Sequence, residues 1–172
     1  MLIVMAGLPG TGKSTLAARL AVEIQGVVLC KDVVRAALFP VPVLDCSPEE
    51  DETAMSAIYA ATSHILKVHR AHPVILDGRT FSRPGQLDAP IALAASLGVP
   101  LHVIECVCAD HIAHARLSAD HVAGTHPAGN RTPELFDRVK AAAHPLTVPR
   151  LTLDTGTLSL EECVKLALAY CA

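Results

Sequence analysis

The chain has 172 residues, a net charge of −3 and a hydrophobic fraction of 51%, which predict one domain large enough to fold without disulfide or metal staples. The acidic balance and the 3% aromatic content, with no Trp, disfavour a protein that binds nucleic acid through a basic surface or stacked aromatics. No apolar run reaches membrane-span length and the N-terminus lacks signal-peptide features, so we expect a cytoplasmic protein with no membrane partner and six reduced cysteines.

Short apolar runs alternate with longer helical patterns along the chain. Buried parallel strands are apolar on both faces, and such runs occur at residues 2–6, 27–30, 74–76, 101–108 and 148–153. Apolar residues at helical spacing predict helices at residues 13–25, 32–38, 48–70, 86–97, 110–121, 133–143 and 159–170. This alternation is typical of a parallel α/β sheet with helices on both faces.

The first predicted strand leads directly into a segment that matches the phosphate-binding pattern G-x-x-x-x-G-K-[ST] in full. Its glycines let successive N–H groups turn inward around a phosphate, and the helix that follows adds its positive end. Lys13 would reach the β- and γ-phosphates, and the Ser14 hydroxyl would hold Mg²⁺. We therefore predict ATP and Mg²⁺ as cofactors, with nucleotide-binding residues Gly7, Leu8, Pro9, Gly10, Thr11, Gly12, Lys13, Ser14 and Thr15.

Features outside this loop narrow the class of protein. The guanine-reading N-K-x-D sequence of GTPases is absent, and the chain is shorter than the large motor-type ATPases require. The short chain, the long helix after the second strand and the polar loop before the last strand indicate a small kinase.

Five segments resemble the small P-loop kinases that include zeta-toxin-like proteins, with the kinase domain of phage polynucleotide kinase as a related match. They read GLPGTGKST, LCKDVVR, VILDGRTFSRPGQ, HPAGNRTPELFDRV and LTLDTG. The resemblance covers nearly the whole chain. It implies a three-layer P-loop NTPase fold with a five-stranded parallel sheet in the order 2-3-1-4-5. It also implies a single kinase domain over residues 1–172 with a helical lid at about residues 110–143.

The resemblance places an acceptor-binding acid at Asp32, just past the second strand. A carboxylate there would accept the proton of the acceptor hydroxyl or orient it for in-line attack, although Asp32 could also be a plain helix cap. Arg35, one helical turn further, would hold an acidic group of the acceptor or pair with a carboxylate. Lys31 is a weaker candidate for the same site.

The resemblance also implies roles for the end of the third strand and the loop after it. Asp77 would lie beside the phosphate loop and either bind Mg²⁺ through water or fix Arg35, and Gly78 would let the backbone pass close to the γ-phosphate. Thr80 and Arg83 would belong to the wall of the acceptor site.

Arginines from the predicted lid would neutralise charge on the transferring phosphoryl group. Arg116 stands where the resembled family has its first lid arginine, but Asp120 occupies the place of the second. Arg131 is the candidate to supply the missing charge, whereas a surface ion pair with Asp120 is the alternative for Arg116. Thr155 and Gly156, after the last strand, would pass beside the adenine.

The nine histidines do not form a recognisable metal-binding pattern. His111 and His114 share a helical face and could supply half of a site, but no third ligand accompanies them. His126, in the predicted lid loop, could reach the acceptor or a phosphate.

Together, these patterns predict an ATP-dependent kinase that transfers the γ-phosphoryl group to a hydroxyl of a small-molecule acceptor, with Mg²⁺ assisting and Asp32 orienting the acceptor. One alternative is a polynucleotide 5′-hydroxyl kinase, which the charge balance disfavours. The other is a nucleotide-binding switch or ATPase without transferase activity, which would need no acceptor acid. Acceptor specificity is expected to reside in residues 32–60 and 78–90.

Overall fold

The computed structural model of the protein describes residues 1–124 and 132–172. The strands are β1 (Leu2–Ala6), β2 (Val27–Cys30), β3 (Val74–Asp77), β4 (Leu101–Val107) and β5 (Leu151–Asp154). The helices are α1 (Lys13–Ile24), α2 (Lys31–Leu38), α3 (Pro48–Val68), α4 (Asp88–Leu97), α5 (Asp110–Ala123), α6 (Pro133–Ala141) and α7 (Leu160–Cys171).

The five strands form one parallel sheet in the order β2-β3-β1-β4-β5, which confirms the predicted α/β class and strand order. β1 pairs with β3 on one side and β4 on the other, and Cys30 at the end of β2 lies beside Asp77 at the end of β3. The carboxyl ends of β1, β2 and β3 therefore meet at one edge. Ligands of parallel α/β sheets bind at that edge.

The sheet separates two hydrophobic clusters, so the molecule has three layers. Along β1, Leu2 and Val4 contribute to the cluster that includes residues of α3 and α4. Ile3 and Met5 contribute to the cluster on the other face, which includes residues of α1 and α7. This alternation follows from the two-residue period of a strand. A third, small cluster around Phe136 holds α6 against α5.

Two predicted element starts were wrong by two or three residues, and each has a local cause. β5 begins at Leu151 rather than at 148, because Pro149 has no N–H for the sheet ladder; the Arg150 guanidinium donates to the Leu146 carbonyl at 2.9 Å just before the strand. α4 begins at Asp88 rather than at 86, because Gln86 closes a turn with its side-chain oxygen on the Arg83 N–H at 3.1 Å.

All six cysteines are free thiols. Within the two described ranges, no group of three or more His, Cys, Asp and Glu side chains could hold a metal ion. The helices of these ranges include none that is both long and apolar enough to cross a membrane.

The last helix is held by a capping box that the sequence analysis did not single out. The Ser159 hydroxyl accepts a hydrogen bond from the Glu162 N–H at 3.2 Å, and the Glu162 carboxylate accepts one from the Ser159 N–H at 2.8 Å. Two N–H groups that a helix start would leave unpaired are thereby satisfied.

We predict that Ser159→Ala lowers the free energy of unfolding by about 1 kcal/mol, the usual cost of losing such a cap. Urea denaturation followed by circular dichroism measures this. The matched control is Ser96→Ala, which removes a hydroxyl that only bonds back to the Leu93 carbonyl within α4. Equal losses in the two variants would contradict a specific role of the capping box.

Candidate functional site

The phosphate-loop segment follows β1 and is packed tightly against its neighbours. Gly7, Gly10 and Gly12 have φ angles of +131°, +76° and +80°, which residues with side chains rarely adopt. A Cβ atom on Gly7 would lie 2.3 Å from the Cys106 carbonyl oxygen, and one on Gly10 would lie 2.7 Å from the Ala113 carbonyl oxygen. The loop therefore requires glycine for space as well as for conformation.

Lys13 opens α1 and lies folded over this loop. Its ammonium group donates a hydrogen bond to the Leu8 carbonyl at 3.1 Å, and the Thr11 hydroxyl donates to the same oxygen at 2.8 Å. Gly12 caps the helix without a side-chain hydrogen bond, so the first-turn N–H groups have no side-chain acceptor at the cap. The arrangement concentrates positive potential and can bind an anion.

A cavity of about 420 Å³ adjoins the start of α1. Its lining includes six predicted nucleotide-binding residues, namely Gly10, Gly12, Lys13, Ser14, Thr15 and Thr155. Arg116 lines it as well, from α5. Gly156 lies next to Thr155 and donates its N–H to the Asp154 carboxylate at 2.8 Å.

Arg116 joins the phosphate loop to the segment after β5. Its guanidinium donates to the Gly10 carbonyl at 3.3 Å, to the Thr155 hydroxyl at 3.0 Å and to the Thr155 carbonyl at 2.9 Å. The Thr155 hydroxyl in turn donates to the Thr11 carbonyl at 2.9 Å. The side chain thus contacts the phosphate loop, and its role as a lid arginine stays a prediction. Arg131 and His126 lie outside the described residues.

A second cavity, of about 400 Å³, shares Lys13 and Ser14 with the first. Its wall includes five of the six predicted substrate-binding residues, namely Asp32, Arg35, Gly78, Thr80 and Arg83, together with Pro9 of the loop. A Cβ atom on Gly78 would lie 2.8 Å from the Lys31 N atom. This close contact brings the start of α2 and the end of β3 together on one wall.

A compact group of four charges forms the floor of the second cavity, and we call it the Asp32 cluster: Lys31, Asp32, Arg35 and Asp51. Asp51 accepts hydrogen bonds from Lys31 at 2.7 Å and from Arg35 at 2.5 Å. Lys31 Nζ and an Arg35 amino group lie 3.5 and 3.4 Å from Asp32 Oδ1. Burial alone would lower the pKa of Arg35, but the charges of Asp32 and Asp51 outweigh it and raise that pKa.

Asp77 lies behind the cavity walls at the end of β3, with only 3% of its surface exposed. Within the described part of the chain, its Oδ1 atom has no hydrogen-bond partner, and an orphaned buried carboxylate oxygen calls for a ligand or water. Burial, with the Asp77 charge as the next cause, raises the pKa of the Cys30 thiol on the neighbouring strand. A hard cation held through water fits this carboxylate together with the Ser14 hydroxyl.

Four more charged residues line this wall, and the sequence analysis placed none of them in the site. Asp51 and Glu52 were passed over within the acid-rich first turns of α3, and Arg79, which donates to Glu52 at 3.3 Å, was not singled out. Arg138 was expected to be a solvated helix residue; it is an exposed residue of α6, and it also lines the second cavity. The signal for Arg138 was its helical spacing from Leu135 and Ala142, which share that wall.

Comparisons with known proteins identify the fold. A family model described as AAA domain matches residues 2–146, whereas no curated protein matches the sequence. A solved structure of a candidate kinase from Chloroflexus aurantiacus has a TM-score of 0.78 and 24% identity over 98% of this chain and 97% of that chain.

Two other solved structures are similar over almost their whole length. Kti12 from Chaetomium thermophilum, in complex with ADP-AlF3, has a TM-score of 0.73 at 16% identity, with full coverage of both chains. APS kinase from Mycobacterium tuberculosis, in complex with AMPPNP and APS, has a TM-score of 0.71 at 17% identity, over 99% of this chain and 96% of that chain. These likenesses show a P-loop kinase-like fold.

The Asp32 cluster gives a prediction about stability. Asp51→Asn removes the carboxylate that Lys31 and Arg35 share, so we expect the free energy of unfolding to fall by about 1.5–3 kcal/mol, the range for hydrogen bonds to charged groups. Urea denaturation measures the loss. Glu49→Gln in the same helical turn is the control and should stay within about 0.5 kcal/mol of the parent. A loss of the same size in the control would contradict this role of Asp51.

Proposed function

The chain belongs to the AAA domain family and has a P-loop kinase-like fold, and we propose that it is an ATP-dependent kinase that phosphorylates a hydroxyl group of a small molecule. One observation carries the proposal: two cavities of about 420 and 400 Å³ meet at Lys13 and Ser14. A donor in the first cavity would direct its terminal phosphate toward an acceptor in the second.

We assign the first cavity to ATP. The triphosphate would occupy the phosphate loop, where Lys13 exchanges the Leu8 carbonyl for β- and γ-phosphate oxygens, and Thr155 and Gly156 would flank the adenine. The two nucleotides in the similar structures, ADP-AlF3 and AMPPNP, support this assignment. Arg116, already directed at the loop, would stabilise charge that develops on the transferring group, with Arg131 as the further lid candidate.

The Ser14 hydroxyl and the Asp77 carboxylate would hold Mg²⁺, which when bound neutralises charge on the β- and γ-phosphate oxygens. The buried Oδ1 of Asp77, which has no hydrogen-bond partner among the residues that the structure describes, supports this pairing. Asp77 would then act through water and keep the Ser14 side of the loop aligned between the cavities.

We assign the second cavity to the acceptor and the central role there to Asp32. Lys31 and Arg35 lie 3.5 and 3.4 Å from its Oδ1 atom, and the side chain lines the cavity, so we assign Oδ2 to the ligand. Oδ2 would accept the hydrogen bond of the acceptor hydroxyl, whose oxygen attacks the γ-phosphorus while the bond to the β,γ-bridging oxygen breaks and ADP departs. The hydroxyl proton passes to Asp32 and then to solvent. Such transfers depend mainly on positioning and charge.

The size and wall of the second cavity support a small-molecule kinase over the alternatives. A cavity of about 400 Å³ lies within the range of small-ligand sites. A nucleotide switch would need no walled acceptor cavity with an acid at its floor.

The decisive measurement is a screen of hydroxyl compounds with ATP labelled at the γ-phosphate. We expect Lys13→Ala to abolish transfer, because the loop loses the cation that stabilises the migrating phosphate. Asp32→Asn should reduce transfer by about 10²–10⁴-fold, the usual contribution of a positioned base, while nucleotide affinity stays close to that of the parent. Asp88→Asn, an exposed first-turn acid of α4, is the matched control.

Wild-type protein that labels no hydroxyl compound, and hydrolyses ATP as fast as its Asp32→Asn variant, would refute the kinase proposal. The switch or ATPase alternative would then remain.

Arg116 gives a second prediction. Arg116→Lys keeps the charge but cannot span the Gly10 carbonyl and both Thr155 acceptors, so we expect kcat to fall by about 10²-fold or more, as for the loss of one transition-state donor. Steady-state kinetics with ATP measures it. Arg19→Lys, at an exposed ion pair of α1, should leave kcat unchanged. A change in KM for ATP alone would contradict a role in the transition state.

A further inference from the structure

The wall of the acceptor cavity has more positive than negative side chains. The cations in its wall are Lys13, Lys31, Arg35, Arg79, Arg83 and Arg138. The carboxylates in its wall are Asp32, Asp51 and Glu52. The whole chain has a net charge of −3, so this excess of positive charge is local.

The three carboxylates already have cationic partners within the wall. Asp32 and Asp51 face Lys31 and Arg35 in the Asp32 cluster, and Glu52 pairs with Arg79. Lys13 belongs to the phosphate loop. The excess is therefore carried by two side chains, Arg83 and Arg138.

Neither of these two guanidinium groups forms an ion pair or a side-chain hydrogen bond with another residue of the ranges 1–124 and 132–172. Both side chains are exposed and line the cavity. We call them the arginine pair. Unlike Arg35, whose side chain is 4% exposed and held by two carboxylates, the arginine pair is free to take a ligand.

The fold holds the two elements of the arginine pair against each other. Arg83 lies in the loop after β3, which is anchored by the buried ring of Phe81. Arg138 lies on α6, which Phe136 fixes to α5. The His144 N–H, just past α6, donates to the Ser82 carbonyl at 2.7 Å, so the chain after one arginine is bonded to the residue before the other.

We propose that the acceptor carries an oxyanion group in addition to its reacting hydroxyl, and that Arg83 and Arg138 bind this group. The inference rests on the proposed kinase function and narrows its substrate class to small phosphorylated, sulfated or carboxylated hydroxyl compounds. Guanidinium forks match these oxyanions in geometry and charge. A neutral acceptor would displace water from the two guanidinium groups without supplying an anion in its place, and this loss of hydration would be unfavourable.

A binding experiment tests the arginine pair without knowledge of the acceptor. The full-length protein is saturated with Mg²⁺ and a non-hydrolysable ATP analogue, so that the phosphate loop is filled, and is titrated calorimetrically with inorganic phosphate, sulfate or malonate. We expect one further anion to bind. Arg83→Gln/Arg138→Gln should weaken that binding by about tenfold or more, as expected for the loss of charge-assisted bonds.

The matched control is Arg19→Gln/Arg70→Gln, which removes the same net charge at exposed positions away from the cavity. It should bind the anion as the parent does, and equal thermal midpoints would show that both double variants are folded. The inference is overturned if no further anion binds with a dissociation constant below about 10 mM. It is also overturned if the two double variants weaken anion binding equally.

A transfer experiment separates this inference from the proposed function. Acceptors are offered in neutral and anionic pairs, such as a sugar and its phosphate, a polyol and its hydroxy acid, or a nucleoside and its 3′-monophosphate. We expect the anionic member to have the lower KM by about tenfold, and the arginine-pair variant to lose that preference. The favoured anion identifies phosphate, sulfate or carboxylate as the group that is bound.

Equal use of neutral and anionic members by the parent overturns the inference and leaves the kinase function standing. Transfer to an oligonucleotide in preference to any mononucleotide overturns the small-molecule class. Absence of transfer to every compound refutes the kinase function. The anion titration then still decides whether the arginine pair binds an oxyanion.

Discussion

The contact between the phosphate loop and the strand beside it constrains every other part of the site. Gly7 passes so close to the Cys106 carbonyl that a Cβ atom would lie 2.3 Å away, so the loop has one position relative to the sheet. Lys13 and Ser14 are consequently fixed between the two cavities. Cys106 is itself buried in the core, and this burial raises the pKa of its thiol to about 12.

The Asp32 cluster extends this fixed geometry toward the acceptor. Buried charges are costly to desolvate and are tolerated when they are paired, and here Asp51 of α3 holds both cations that flank Asp32. The next helix along the chain thereby sets the position of the residue that we propose to orient the hydroxyl. Asp51 is a positioning residue in this account, and Asp32 is the group that touches the acceptor.

Local patterns made the phosphate loop and the order of elements predictable, because glycine spacing, caps and apolar periodicity act within a few residues. The sheet order came from the resemblance to small P-loop kinases, and the structure confirms it. Asp51 could not be found in this way, because its significance depends on contacts with Lys31 and Arg35 on another helix. The roles of Asp32, Asp77 and Arg131, and the lid, stay predictions.

The two kinds of arginine in the acceptor wall would respond differently to evolutionary change. Arg35 is buried with two carboxylates, so replacing it would leave unpaired charge in the interior and threaten folding. Arg83 and Arg138 are exposed, and substitutions at such positions usually change stability little. Natural selection could therefore exchange one acceptor for another through these two positions, while the machinery that handles the donor stays intact.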